Sequence, residues 1–281
     1  MLRTQHGLRL LGPADVPAMQ ELVARDPVVN VFVDYRTRIT QLDPRWMGGE
    51  MWGYLEDGEL VSACHAAANL VPVNATPDAI AAFAARGIRQ RRRCSTIVGP
   101  AEAVADLWQH LAPHWSRPRE RRWRQPHLEI RRPPRVPPDP EVRRTTQADL
   151  PTLYPACVAM YTEEVGVSPE AGGGADMYRA RVAQLIGKGW SFARIEGGRV
   201  VFKAEVAAVS PYACQVQGVY VAPDRRGEGL ATAGMAAVVD FALREVAPVV
   251  SLYVNEHNVA ARRVYDAVGF EQTAVFSTIM F

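Results

Sequence analysis

The chain has 281 residues, 48% of them hydrophobic and 22% charged, the profile of an ordinary globular protein with one large domain or two of usual size. A formal net charge of +2 gives no global field to draw it onto nucleic acid or a lipid surface. Cys64, Cys94, Cys157 and Cys214 stand far apart with no CxxC pair, which excludes metal-clamp and redox spacings and a disulfide framework.

The first residues, MLRTQHGLRLLGPADV, lack the long apolar core of a signal peptide. The most apolar later segment, Leu230 to Leu243, is interrupted by Asp240 and is too short to span a bilayer. The expectation is a reduced, cytoplasmic protein that uses no metal and no membrane. Nothing in the sequence fixes an oligomeric state.

In chain order, Leu8-Arg9-Leu10 predicts a short strand and Ala14-Asp15-Val16-Pro17 a helix start, with Asp as cap and Pro in the first turn. Trp52 to Ala68 reads as a hairpin around Asp57-Gly58. Val71 to Asp78 carries two prolines and no glycine. Ser95 to Val98 predicts a strand, Ala101 to Leu111 a helix and Gln125 to Arg132 a further strand. Five prolines between Pro133 and Pro140 make that run a stiff linker and divide the chain near residue 137.

The second side repeats the first. Val142-Arg143-Arg144 and Ala148-Asp149-Leu150-Pro151 echo the opening strand and helix start. Trp190 to Val209 is a second hairpin, around Gly197-Gly198. Ser251 to Val254 leads to a helix over Asn258 to Val268, as Ser95 to Val98 leads to Ala101 to Leu111. A duplicated α/β unit follows, with domains at 1–137 and 138–281. Only Thr273 to Met280 remains for a final strand, so the halves are expected to complete each other's sheets.

The echo fails at one place. After Val219-Tyr220-Val221 the second half reads Pro223-Asp224-Arg225-Arg226-Gly227-Glu228-Gly229-Leu230-Ala231-Thr232, and an amphipathic helical pattern follows. Glycines let a backbone present successive N–H groups to an anion, and the next helix adds its positive end. The dinucleotide fingerprint fails because Thr232 stands where glycine is required. Walker A fails because Met235-Ala236 follow Gly234 in place of Lys and Ser or Thr.

The remaining pattern, Val221-x-Pro223-x-x-Arg226-Gly227-x-Gly229-x-Ala231, resembles the coenzyme A pyrophosphate motif of the GCN5-related N-acetyltransferase (GNAT) family. Asn258, Ala261, Tyr265, Gly269 and Phe270, after the strand ending in Asn255, resemble the family's next motif. The resemblance covers about residues 140–281 well and the first half in outline. It implies an α/β (α+β) fold with two GNAT-like mixed-sheet halves in tandem, the first degenerate and without a pyrophosphate loop. It implies acetyl-CoA as cosubstrate and an amine acceptor, a small molecule or a protein amine.

By the same resemblance, Val219, Tyr220 and Val221 would pair with the pantetheine and offer an amide to the thioester oxygen. Arg225, Arg226, Gly227, Glu228, Gly229, Leu230, Ala231 and Thr232 would hold the pyrophosphate. Asn255, Asn258 and Ala261 complete the set, and Tyr265 is the expected proton donor to sulfur. The base departs from the family pattern: the strand Ala213 to Gly218 carries Gln215 and Gln217 where many relatives have a carboxylate. Glu205, Glu163 and Glu164 are the candidates left, beside a reaction with no protein base. The missing carboxylate also keeps open a CoA-binding sensor without transfer activity. The arginine-rich stretch from Arg86 to Arg135 is interleaved with Trp115 and Trp123, but Glu102, Asp106, Glu120 and Glu129 offset it. It is read as a solvated face, and nucleic acid is not expected as a partner.

Overall fold

The computed structural model describes residues 7–281. The first half runs β1 (Gly7–Leu10), α1 (Val16–Val23), α2 (Val31–Thr40), α3 (Pro44–Met47), β2 (Glu50–Glu56), β3 (Glu59–Ala66), β4 (Asn69–Val73), α4 (Pro77–Gln90), β5 (Thr96–Pro100), α5 (Ala101–Leu111) and β6 (Glu120–Ile130). The second runs β7 (Arg143–Arg144), α6 (Leu150–Val165), α7 (Ala175–Gly187), β8 (Ser191–Glu196), β9 (Arg199–Val209), β10 (Cys214–Val221), α8 (Leu230–Glu245), β11 (Val250–Tyr253), α9 (Val259–Val268) and β12 (Glu271–Met280). Among the described residues no helix is long and apolar enough to cross a membrane.

The duplication is visible in the strand pairing. β1, β2, β3 and β4 are successively antiparallel, and β4 then pairs parallel to β5. β7, β8, β9 and β10 repeat the antiparallel series, and β10 pairs parallel to β11. Both hairpins turn on two residues of positive φ, Asp57-Gly58 and Gly197-Gly198, the conformation that matches the twist of the flanking strands.

The opening helices also repeat, with chemistry other than the expected cap. Asp15 and Asp149 do not cap α1 and α6 with their side chains. Each closes a short 3-10 turn by accepting from the amide three residues back, Gly12 at 2.9 Å and Thr146 at 2.7 Å. Each also holds an arginine of the preceding strand, Arg9 and Arg143, both with a bond of 2.8 Å. The Arg143 guanidinium pulls the Asp149 carboxyl below the usual carboxylate range, with the Thr146 bonds adding to it.

The chain divides into two compact units that do not follow the linear halves. Of the described residues, one unit holds 7–128, 253–257 and 272–281; the other holds 129–252 and 258–271. In the first unit β12 lies antiparallel to β5, with Thr278 opposite Val98 and Ile279 opposite Ile97, and β6 flanks β12 on its other side. Ile279 enters the core formed by Trp52, Phe83, Leu107 and Leu111. The last strand of the second half is therefore a strand of the first unit.

In the second unit, Leu153, Cys157, Val182 and Ile186 of α6 and α7 pack on Ala193 and Val200 of β8 and β9. The proline-rich run is not a free spacer. Asp139 is buried and takes a bond of 2.9 Å from Arg194, its amide reaches the Ala233 carbonyl, and the Arg135 amide reaches that of Val268. Many arginines of the basic stretch are likewise engaged. Arg86 bonds Glu50 and covers Trp52, Arg122 pairs with Glu120, and Arg92 lies over Phe281.

Candidate functional site

The site begins where β10 leaves its parallel neighbour. Its register with β11 covers Cys214 and Gln215. Its antiparallel pairing with β9 continues to Val221 but breaks between Gln217 and Tyr220, at a bulge where Gly218 has a φ of +62°. A bulge sharpens local twist and bends the strand that carries it. Val219, Tyr220 and Val221 are half-buried and lie beyond the reach of β11's pairing, so one edge of their backbone is left without that strand as partner.

The chain then turns through Pro223–Arg225 and two glycines in the left-handed region, Gly227 at +87° and Gly229 at +83°, before α8 starts at Leu230. No side chain caps α8. Thr232 and Ala233 donate to the Gly229 carbonyl. Among the described residues, the amides from Gly227 through Ala231 donate to no group of the chain. A row of free N–H groups at the positive end of a helix of sixteen residues is a seat for an anion, and a Cβ at 227 or 229 would stand in open space there.

Ion pairs brace this turn. Arg225 bonds Glu196 at 2.7 Å and Glu228 at 2.8 Å, and these bonds raise its guanidinium further above its ordinary range. Arg226 bonds Glu163 at 2.7 Å and the Val221 carbonyl at 3.3 Å. Asp224 pairs with Arg199. Arg225 and Glu228 thus hold the turn's shape, and Glu163, at the exposed end of α6, is tied to the turn by Arg226.

The remaining predicted residues separate into three groups. Asn258 starts α9 by accepting from the Ala261 amide at 3.1 Å, and Gly269 ends it at a φ of +111°. Tyr265 is buried on α9, edge-on to Phe270; burial, then the negative charge of Glu164, pushes its hydroxyl well above the ordinary tyrosine range. Asn255 lies in the first unit, where its Oδ1 accepts from Gln125 at 2.9 Å. Glu205, on β9, is buried with both oxygens engaged: Oε2 accepts from Lys203 Nζ and Oε1 from Gln217 Nε2, each at 2.9 Å. Sequence reasoning passed over Lys203 and the role of Gln217. A lone lysine inside the apolar run Arg199 to Val209 was the available signal.

The corresponding place in the first half is closed. After β4, Thr76 caps α4 by accepting from the Ala79 amide at 3.3 Å, and Pro77 fills the first helical position without an N–H. Among the described residues no group of three His, Cys, Asp or Glu side chains could hold a metal ion, and the four cysteines are buried and free.

Residues 185–270 match the model of the Acetyltransferase (GNAT) family. This segment of the second half is similar to GNAT acetyltransferases. Residues 49–153 match a domain of unknown function (DUF4081). Among solved structures, a GCN5-related N-acetyltransferase from Sphaerobacter thermophilus is 18% identical, with 98% of this chain and 95% of that one covered at a TM-score of 0.59. A tandem GNAT protein from the clavulanic acid biosynthesis pathway is 17% identical, with 98% of each chain covered at 0.57. A Drosophila protein is 12% identical, with 98% and 99% covered at 0.65. These likenesses establish the fold over nearly the whole chain. No curated protein matches the sequence. The open turn at Gly227 to Ala231 lies inside the segment that matches the GNAT model.

Proposed function

We propose that residues 138–281 form an acetyl-CoA-dependent N-acetyltransferase, and that residues 1–137 are a GNAT-like half that binds no CoA. One observation carries the reading: the unpartnered amides of Gly227 to Ala231, at the start of α8 and directly after a strand edge left free beyond Gln215. The residues present fit a pyrophosphate on the turn and a pantetheine along Val219 to Val221. Acetyl-CoA would supply an acetyl group activated as a thioester.

The chain's own residues then have three tasks. An amide at Val219 or Tyr220 would donate to the carbonyl oxygen as charge develops there. Arg226, held by Glu163, sets the position of the turn. Tyr265 keeps its proton through burial and would give it to the leaving sulfur; a positioned acid contributes roughly 10²–10⁴-fold. Calorimetry with CoA and thiol release from acetyl-CoA with primary amines test the reading together. Tight CoA binding with thiol release on at least one amine is expected. Binding with no release on any amine would favour a CoA sensor, and no binding would remove the function altogether.

A further inference from the structure

Lys203 and Glu205 alternate along β9 and so point to the same face, the one covered by α6 and α7. Lys203 is fully buried. Burial works against its ammonium, but the charge of Glu205 and bonds to Glu205 and to Cys157 of α6 outweigh it and hold its pKa above the ordinary value. Tyr178 of α7 closes the same cluster, its hydroxyl donating to the Cys157 carbonyl at 3.0 Å and its ring edge-on to Tyr161 at 5.4 Å. Gly218 rests on the pair: a Cβ there would stand 3.0 Å from Glu205 Cδ and 3.2 Å from Lys203 Nζ.

Gln217 lies opposite Glu205 across the β9–β10 ladder and is exposed to solvent. A carboxylate only accepts, so the NH₂ end of the glutamine must face Glu205 and its carbonyl oxygen must face away. The oxygen is therefore fixed at the last residue before the bulge, where β10 has already parted from β11. The cluster around it comprises Lys203, Glu205, Cys157 and Tyr178. It carries no net charge, because the one carboxylate is spent on the one ammonium.

We propose that the side-chain oxygen of Gln217 receives an N–H of the acceptor amine, with Glu205 and Lys203 as positioning residues that lock the amide in that orientation. The inference rests on the N-acetyltransferase reading. An amide oxygen holds an N–H but takes no proton, and the neutral cluster itself offers an ammonium nothing to pair with, the charge of Glu164 acting on the Tyr265 side instead. The acceptor is therefore a weakly basic amine that arrives uncharged: an aryl amine, a hydrazide or an α-amine next to a carbonyl. Its nitrogen bonds to the acetyl carbon as the carbon–sulfur bond breaks. The amine's surplus proton passes to water, and sulfur leaves with the proton of Tyr265, which water restores.

The test pairs amines of one shape and different basicity, aniline with cyclohexylamine and glycinamide with propylamine, in thiol release from acetyl-CoA at neutral pH. The weakly basic member of each pair should be preferred at least about tenfold in kcat/KM. Gln217→Ala should raise the KM for the amine about tenfold and leave the KM for acetyl-CoA within about twofold. Glu205→Gln should move the amine KM the same way and keep the pH profile of kcat. An unchanged amine KM in Gln217→Ala, or loss of an acid limb in Glu205→Gln, overturns the assignment; the second result makes Glu205 the base. The lock has its own readout: slowly exchanging Gln217 side-chain amide protons by NMR in the wild type, fast in Glu205→Gln. Fast exchange in the wild type overturns it whatever the activity. Acetyl-CoA binding without thiol release on any of the four amines would instead overturn the activity reading, and the acceptor role of Gln217 with it.

Discussion

Gly229 has a φ of +83° and empty space where a Cβ would stand. A side chain there strains the backbone by about 1 kcal/mol but meets no protein atom, so substitution tests the ligand and spares the fold. Gly229→Asp should fold, and it should lose CoA binding, because its carboxylate would occupy the anion's place with like charge. Unchanged affinity by calorimetry would remove the turn from the site. Tyr265→Phe removes one oxygen from a buried ring and should keep acetyl-CoA affinity within a few-fold while cutting kcat at least about tenfold. Full turnover at saturating amine would leave Tyr265 as packing against Phe270 alone. Gly218→Ala differs from both: it combines a positive φ with contacts of 3.0 Å and 3.2 Å to Glu205 and Lys203, and should cost about 1–3 kcal/mol by chemical denaturation.

At the scale of elements, β12 is the test of the fold. It lies between β5 and β6, bonds Thr278 Oγ1 to Gln125 at 2.5 Å and Ser277 Oγ to the Trp123 carbonyl at 2.6 Å, and places Ile279 in the core. Its amides should be among the slowest to exchange in the first unit, and fast exchange over Thr273 to Met280 would refute the placement. Most elements were legible locally. α5 was predicted at its observed bounds, α9 within one residue, and both hairpin turns from their Gly-containing pairs, because periodicity, caps and turn residues act over a few positions. The turn before α8 was legible because its glycines answer a local backbone demand. The Asp15 and Asp149 links were missed because each depends on an arginine six residues away rather than on the helix they precede. The Lys203–Glu205–Gln217 chain was missed because cross-strand register decides it, and a bulge had shifted that register. The spacer composition misled because Asp139 and the Arg135 amide find partners that only the folded second unit supplies.

For the whole molecule, acid should strike the first unit before the second. His65 and His127 are both buried there, and burial pulls each down to about 4. His65 holds the Asn69 carbonyl at 3.2 Å, with Arg36 opposing its charge further; His127 stacks on Phe276 and meets Thr273. An unfolded histidine titrates near ~6.5. Between about 4 and 6.5 the unfolded chain therefore binds more protons, so stability is full above that window and falls as pH drops through it. Each histidine contributes on the order of 3 kcal/mol to that fall. Denaturation midpoints at neutral pH and near pH 4.5 should show the loss, and His127→Asn should remove about half of it, His65 keeping the rest; a flat wild-type profile would refute the assignment. Titration with CoA should saturate near one site per chain, because Thr76 and Pro77 have already used the helix end that would hold a second. A stoichiometry near two would overturn that division.

The place of β12 also sets an order in time. On the ribosome, β1 to β6 emerge long before the strand that belongs between β5 and β6, and the whole second half must be translated first. Until then the nascent first unit keeps two open strand edges and a core short of Ile279, a form inclined to pair with other chains. Stalled chains ending before Glu271 should be cut by a protease within residues 7–128. Chains extended past Phe281 beyond the exit tunnel should resist it. Equal resistance at both lengths would show that the first unit closes without its last strand.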